Sequence, residues 1–435
     1  MYQVAVNRYE DEYSLKNTLD LLNVSKDLHS NLKVFIKPNF AFWLDKTDFP
    51  KFGVITTAQI IEDLVVYLSE SGVTDITVIE GIVNEQGTED SMLKSLIYGM
   101  NLIKLSNKYG VKFIDVNEGK FRKVNVDGIN INISEDIYDA DYIINLPVLK
   151  THRFCKTSLG IKNLKGLIDI RSRQSFHAIK KNHKNYLSHA ISKLPEIIKS
   201  DLVIIDGIYS LEYGSTFSGK GYRSNMLIAS KDIISADVVG SKLLGYEAKD
   251  IPVIKETADA LKRKCDLSDI EILGDKLLLE NINPLRYAAD KGDKGYVNFR
   301  LFRKRGIRTY STDESICTYC CAPLICILTG IINGKRRVYD DVEILFGKHA
   351  EPSGECRHTI LVGGCQVRKN KNNKNIKNCI TLKGCPAETK NLLEVLDFLD
   401  MQLPVSNEEW ITYYPEFLMK KYNNSDIFDR SHFYL

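Results

Sequence analysis

Short apolar runs alternate with stretches of helical periodicity over roughly the first 275 residues. "KVFIKPNF" (33–40) is an apolar run that ends in Pro-Asn, which predicts a strand leading into a loop. "TTAQIIEDLVVYLSESG" (56–72) repeats its apolar residues at helical spacing and stops at Gly72, a C-terminal helix signal. "DITVIEG" (75–81) predicts a second strand, "SMLKSLIYGMNLIKLSNKYG" (91–110) a helix, and "VKFIDV" (111–116) another strand. "DYIINLPVLK" (141–150), "DLVIIDGI" (201–208) and "SNMLIAS" (224–230) continue the series. Strands that alternate with helices predict an α/β fold, a mainly parallel sheet with helices on both faces. In such sheets ligands gather beyond the carboxyl ends of the strands. Lys37, Glu80, Lys150 and Asp206 lie at or just past the ends of apolar runs, so one crevice could collect them.

After residue 275 the pattern loosens. Residues 276–312 read as a connecting or inserted segment, 313–402 as a smaller Cys-rich α+β domain, and 403–435 as an aromatic C-terminal tail. Within the cysteine region, "VRKNKNNKNIKN" (367–378) reads as a solvated loop, and "AETKNLLEVLDFLDMQL" (387–403) as a closing helix. The aromatic tail is suited to packing on the body or on a partner.

Composition narrows the function classes. With 59 basic and 56 acidic residues the net charge is only +3, which gives no general case for nucleic acid or an anionic membrane. The N-terminus carries acids where an export signal needs an apolar run. The apolar stretch "APLICILTGII" is too short to span a bilayer. A cytoplasmic, reducing location is therefore expected, where cysteines act as metal ligands or thiols rather than disulfides.

Eight of the ten cysteines fall between Cys317 and Cys385. Cys317 and Cys320 form a C-x-x-C pair, and Cys365 and Cys385 each follow a glycine. Two thiolates on one turn with two later ones make a four-sulfur site, and glycines allow a backbone to wrap closely round it. The preferred ligands are Cys317, Cys320, Cys365 and Cys385, with Cys321 the substitute for Cys320. The cofactor expected is a [4Fe–4S] cluster, with a structural zinc ion as the alternative. Cys326, in an apolar run, reads as a core residue, and His358 as a surface residue.

"LPVLKTHRFCKTSLGIKNLKG" (146–166) holds Lys150, Arg153, Lys156, Lys162 and Lys165, with no acid between Asp141 and Asp169. Lys37, Lys150, Lys156, Lys162 and Lys165 are point charges suited to a carboxylate or phosphate. Asn39, Thr151, Ser158 and Asn163 can add directed hydrogen bonds. His152 and His177 have an ordinary pKa near neutrality and are candidate proton-transfer groups, with Glu80 as a candidate base. Glu80, Asp206 and Asp237 read as bases, metal ligands or counter-charges, and Asp237 alternatively as the residue that fixes a helix start. No G-x-x-x-x-G-K-[ST] loop and no G-x-G-x-x-G after the first strand is present, which argues against an ordinary ATPase or nicotinamide dehydrogenase.

In order, "FIKPNF", "ADYIINLPVLKTH", "SLGIKNLKGLI", "FHAI", "LVIIDGI" and "ASKDIISADVVGSKLLG" resemble the family called domain of unknown function 362, over about residues 30–250. The resemblance implies that an iron–sulfur segment often accompanies the domain. One departure is "LEYGSTFSG", where the family tends to have a Glu-Gly-x-Gly-Pro-like turn; Glu212 and Gly219 remain. These features together point to an iron–sulfur oxidoreductase acting on a small anionic substrate, with a redox partner protein. The competing reading is a non-redox binding or transferase protein whose cysteines hold zinc or an inert cluster.

Overall fold

In a computed structural model, the alternation of strand and helix builds a ten-stranded mixed sheet flanked by helices. The structure describes residues 1–44, 48–82, 91–178, 186–214, 216, 219–282, 284–285, 305–309, 314–317, 320, 338–385, 387, 392–399, 415–416, 418–423 and 425–435. Cys321 and Cys326, and most of 276–312, lie outside them. The chain divides into two units: Met1–Arg173, Ser188–Tyr287 and Leu418–Leu435 form the first, Gln174–Leu187 and Ala288–Phe417 the second.

The strands of the first unit are β1 (Tyr2–Arg8), β2 (Lys33–Pro38), β3 (Asp75–Glu80), β4 (Lys112–Asp115), β5 (Phe121–Val126), β6 (Ile129–Ser134), β7 (Tyr142–Leu146), β8 (Val148–His152), β9 (Lys156–Ser158), β10 (Leu202–Glu212), β11 (Lys220–Ser230) and β12 (Ile270–Gly274). Its helices include α1 (Ser14–Leu21), α2 (Ala58–Glu70), α3 (Met92–Gly99), α4 (Ile103–Tyr109), α5 (Gly160–Asn163), α6 (Ile170–Ser175), α7 (Tyr186–Ser192), α8 (Ile233–Leu243) and α9 (Pro252–Ala260), α6 and α7 flanking the excursion into the second unit. The main sheet runs β12-β1-β11-β10-β7-β2-β3-β4, with the β8–β9 hairpin attached to β10. From β2 the chain moves outward through β3 to β4, all parallel, then returns to place β7 on the other side of β2. That reversal between β2 and β7 is a topological switch point, where a crevice opens beyond the strand ends.

Period-two alternation explains the two helical layers. Leu202 and Ile204 of β10 join the core that contains Leu15 and Leu19 of α1 and Ile61, Leu64 and Leu68 of α2. Their neighbour Ile205 faces the opposite layer, where a Cβ on Gly240 of α8 would stand 2.9 Å from its Cδ1.

Three local features depart from the sequence reading, and a fourth refines it. The helix expected over 91–110 is two helices, because Gly99 packs directly on the Trp43 ring and Asn101 takes a left-handed φ of 58°. The run 141–150 is two strands, β7 and β8, divided at Pro147, which lacks the N–H a continuing ladder needs. Residues 121–134 form an unexpected hairpin of β5 and β6 whose Asp127-Gly128 turn has φ of 51° and 75°, the tight-turn geometry that Asp-Gly favours. Finally, β11 is antiparallel to both β1 and β10, so the sheet is mixed although mostly parallel.

In the second unit, β13 (Arg308–Thr309), β14 (Val342–Leu345), β15 (His358–Val362) and β16 (Asn378–Leu382) form one sheet. All its described pairings are parallel, where the sequence reading expected an α+β arrangement. After α10 (Leu277–Glu280) of the first unit, the helices among the described residues of the second are α11 (Gly364–Asn370), between β15 and β16, and α12 (Leu392–Phe398). Val367–Asn370 of the expected solvated loop thus belong to a helix, and residues 371–377 form the exposed connection to β16.

The end of the chain, Leu418–Leu435, returns to the first unit. Met419, Tyr422 and Phe433 are buried in its main core, and Phe52 meets Tyr209, Tyr422, Phe428 and Phe433 at 4.9–5.5 Å between ring centroids. The Leu435 N–H donates to the Met100 carbonyl at 3.1 Å, fixing the last residue. No helix among the described residues is long and apolar enough to cross a membrane. Phe433→Ala should lower the stability of the first unit by about 3 kcal/mol or more, the usual cost of emptying a buried aromatic site. Chemical denaturation followed by tryptophan fluorescence measures it, since Trp43 sits in the same core.

Candidate functional site

The carboxyl ends of β2, β3 and β7 present Lys37, Glu80 and Asn145 at the switch point. Lys37 is 1% and Glu80 3% exposed, and Lys37 Nζ lies 2.8 Å from Glu80 Oε2. Glu80 Oε2 also accepts from Phe40 N at 2.9 Å, and its Oε1 accepts from Gly81 N at 2.9 Å. Lys37 donates further to the Pro38 carbonyl at 2.7 Å. Burial pulls the Lys37 pKa down, and the Glu80 charge opposes that pull.

Asn163, at the end of α5, ties this pair to the rest. Its Nδ2 donates to the Lys37 carbonyl at 3.1 Å and to Asn145 Oδ1 at 2.8 Å, and its Oδ1 accepts from Asn39 Nδ2 at 3.0 Å. Asn39 Oδ1 accepts in turn from Lys150 Nζ at 2.6 Å, whose other acceptor is the Val54 carbonyl at 2.7 Å. Lys150 is 1% exposed and has no carboxylate partner among the described residues. Burial first, then the nearby Lys162 charge, pushes its pKa well below that of an ordinary lysine. Lys162 is half-buried, and among the described residues it has neither a hydrogen-bond nor an ion-pair partner. Burial lowers its pKa, partly opposed by the Cys155 thiol.

The two glycines of "LGIKNLKG" are required by this packing. Asp237, inside α8, accepts from Gly160 N at 2.7 Å and Ile161 N at 3.0 Å, and a Cβ on Gly160 would stand 2.9 Å from its Oδ1. Asp237 therefore caps α5, while the start of α8 is fixed by Asp232, whose side chain accepts from Ser235 N. Gly166 lies flat on the ion pair, and a Cβ there would overlap Glu80 Oε1 and the end of Lys37. Arg173 closes the floor by donating to the carbonyls of Gly81, Gly166 and Ile168.

Of the residues singled out from sequence, Lys37, Glu80, Asn39, Lys150 and Asn163 share one hydrogen-bonded network, with Lys162 beside it. Thr151 donates to the Leu211 carbonyl at 3.0 Å and so joins β8 to β10. Ser158 pairs with Lys150 across the β8–β9 hairpin, and Lys156 takes a left-handed φ of 62° at the turn. His152 Nδ1 accepts from the N–H groups of Phe154 and Cys155 at 3.2 Å each, which places its proton on Nε2 and holds the same turn. Lys165 is half-buried in the segment after α5. Asp206 accepts from Thr57 N and Oγ1 and from Ile208 N, anchoring the start of α2. Asn145, Arg173 and the capping role of Asp237 escaped the sequence reading; an asparagine within the apolar run "YIINL" was the available signal for the first.

His177 belongs to the second unit, where its Nδ1–H donates to the Glu314 carbonyl at 2.6 Å and its own carbonyl accepts from Lys348 Nζ at 2.7 Å. That contact lies three residues before Cys317. The Cys320 N–H bonds the Cys317 carbonyl at 3.1 Å, closing one turn. Cys365 is in the first turn of α11, after Gly363 with a φ of 89°, and Gly384, with a φ of 97°, precedes Cys385. A Cβ on Gly363 would stand 3.0 Å from Cys320 Sγ and 3.9 Å from Cys365 Sγ, so the missing side chain opens a space on which two sulfurs converge. Burial raises the thiol pKa of Cys365 and of Cys385; Cys317 adds to both shifts and Cys365 to that of Cys385, which places the three sulfurs within electrostatic reach of one another. Gln174 Nε2 approaches Cys385 Sγ at 3.8 Å. Among the described residues no cysteine is in a disulfide, and no three His, Cys, Asp or Glu side chains are spaced to hold a single metal ion.

Residues 34–242 match the sequence model of the family described as Domain of unknown function (DUF362), a span that contains the entire lysine–asparagine network and Asp237. The thylakoid-associated protein sll1697 of Synechocystis is 24% identical over 187 residues, covering 41% of this chain and 58% of that protein. The chain thus spans little more than half the length of that curated relative. Among solved structures, the lactate racemase apoprotein of Thermoanaerobacterium thermosaccharolyticum aligns with a TM-score of 0.34 at 13% identity, over 55% of this chain and 56% of that one.

Breaking the buried pair should be costly. Gly166→Ala, which forces Glu80 and Lys37 apart, and Glu80→Gln should each destabilise the first unit by about 3–5 kcal/mol. Lys162→Ala should stay within about 0.5 kcal/mol of the parent, and urea denaturation compares the three. A pH dependence follows from the buried carboxylates. Burial raises Asp237 to about 7 and Asp206 to about 6, in each case against backbone hydrogen bonds that favour the charge. Between about pH 4 and 7 the folded state then holds protons that the unfolded chain releases, so stability falls as pH rises through that window. Denaturation at several pH values should show the fall, and Asp237→Asn should flatten its upper part.

Proposed function

We propose that the protein is an iron–sulfur oxidoreductase that holds a small anionic substrate in its first unit and a [4Fe–4S] cluster in its second. The observation that carries the substrate site is uncompensated positive charge. At the switch point Glu80 is matched by Lys37, while Lys150 and Lys162 repel each other with no carboxylate partner for either among the described residues. A buried ammonium without a counter-ion loses its proton instead. A carboxylate or phosphate over Lys162 and Asn39 would supply the missing charge and let Lys150 keep its proton. Lys162 would be the first contact because it is the more exposed of the two, Lys150 being 1% exposed. The α5 N-terminus is not part of this site, since Asp237 already occupies its N–H groups.

The cluster reading is supported by the donor set and the glycines around it. Cys317, Cys320, Cys365 and Cys385 are the residues that would hold it, with Gly363 leaving room between Cys320 and Cys365. Such a cluster, when bound, passes one electron at a time. Gln174 and Arg368, near Cys385, would stabilise its negative sulfur ligands.

Protein purified without oxygen should be brown, absorb broadly near 400 nm and bleach with dithionite, and alanine at Cys365 or Cys385 should remove the colour. Colourless protein with stoichiometric zinc overturns the redox reading and favours the structural alternative. A thermal-stability screen of carboxylates and phosphates tests the anion site. A ligand at a hundred times its Kd should stabilise the protein by about 2.7 kcal/mol. That gain should vanish in Lys162→Ala and in Lys150→Met, and it should weaken as pH rises through the depressed lysine range. An unchanged shift in both variants overturns the site.

A further inference from the structure

We infer that the exposed basic face carried by α11 and its connection to β16 is a docking surface for an acidic electron-carrier protein; the inference rests on the iron–sulfur reading above. Between Glu355 and Glu388 the chain has no acid but holds Arg357, Arg368, Lys369, Lys371, Lys374, Lys377 and Lys383. All seven are exposed, and among the described residues only Lys369 has a carboxylate partner, Glu351 at 3.1 Å. An ordinary solvated surface mixes signs, as the near-balanced composition of this chain would lead one to expect. One sign concentrated on one face steers oppositely charged partners and raises their association rate.

The face is continuous with the cysteines. Cys365 precedes Arg368 by three residues on α11, about one helical turn. Arg368 folds back on the start of α11, where a Cβ on Gly364 would stand 3.3 Å from its Nη1, and Lys383 is two residues from Cys385. A carrier seated there would lie next to the cysteines that would hold the cluster, and a bound cluster would accept one electron from it, the carrier being oxidised and the cluster reduced, with no proton moved. The segment between Glu355 and Glu388 contains no Phe, Tyr or Trp, so it lacks the stacking platform that single-stranded nucleic acid uses.

The test uses the full chain, purified without oxygen, with an acidic ferredoxin as probe and a short duplex DNA as the rival polyanion. Fluorescence anisotropy should show ferredoxin binding that weakens as salt is raised. Reversing Lys371, Lys374, Lys377 and Lys383 together to glutamate should weaken it at least tenfold, and changing them to glutamine should give a smaller loss. Iron content and absorbance are measured on the same samples. Binding unchanged by charge reversal in iron-loaded protein, or no ferredoxin binding at all, overturns the docking surface and leaves the cluster reading intact. Tight DNA binding without ferredoxin binding replaces the carrier with nucleic acid. Face-dependent ferredoxin binding by iron-free protein keeps the surface and removes the cluster reading.

Discussion

The buried ion pair of Lys37 and Glu80 is the constraint on which the first unit's site depends. Two charges removed from water are costly unless their remaining hydrogen-bonding capacity is filled. Here it is filled by main-chain groups: Phe40 and Gly81 donate to the carboxylate, and Pro38 accepts from the ammonium. These groups flank the ends of β2 and β3, so the pair fixes where both strands stop and which way their loops leave. Gly166 must then be a glycine, and Asn163 arrives in register to bond the Lys37 carbonyl and reach Asn145 on β7. The ion pair has no charge left to offer a ligand. Its function is to hold Asn39 and Asn163 in place, and through Asn39 to hold Lys150.

Much of the fold was legible in the sequence because burial imposes period. The runs at 33–40, 75–81 and 201–208 are strands, and the helix over 56–72 ends where Gly72 takes a φ of 89°. The misreadings have local causes. The 91–110 pattern keeps helical spacing across its break because both halves face the same core, so periodicity cannot show the turn that Trp43 forces at Gly99. Strand direction is equally hidden, since β11 reads the same whether parallel or antiparallel.

The site was legible as a cluster of residue types and illegible as a set of roles. Composition shows that lysines gather over 146–166, but not which is neutralised. Lys37 is paired, Lys150 is buried against neutral oxygens, Lys156 turns a hairpin, and Lys162 alone combines partial exposure with no described partner. Lys37 meets a carboxylate 43 residues on and Lys150 an asparagine 111 residues back, contacts that no local motif encodes. Asp237 shows the same thing from the other side. It sits in a helix that Asp232 already starts, and its partners are the backbone of a segment 76 and 77 residues earlier.

The two units use positive charge in opposite ways, and the difference bears on what each could recognise. In the first, lysines are withdrawn from water at strand ends, where a low dielectric strengthens every interaction and where the proposed small anion would satisfy two of them. Lys150, 1% exposed, presents no surface to a bulky partner. In the second, the bases stand out in solvent along α11 and the following loop, where each contributes little alone and the surface acts as a field. A small anion gains little from such a face, and a large acidic surface gains from all of it at once. On the proposed reading, buried cations would select by size and charge and exposed ones by extent, and the chain keeps the two sets in different units.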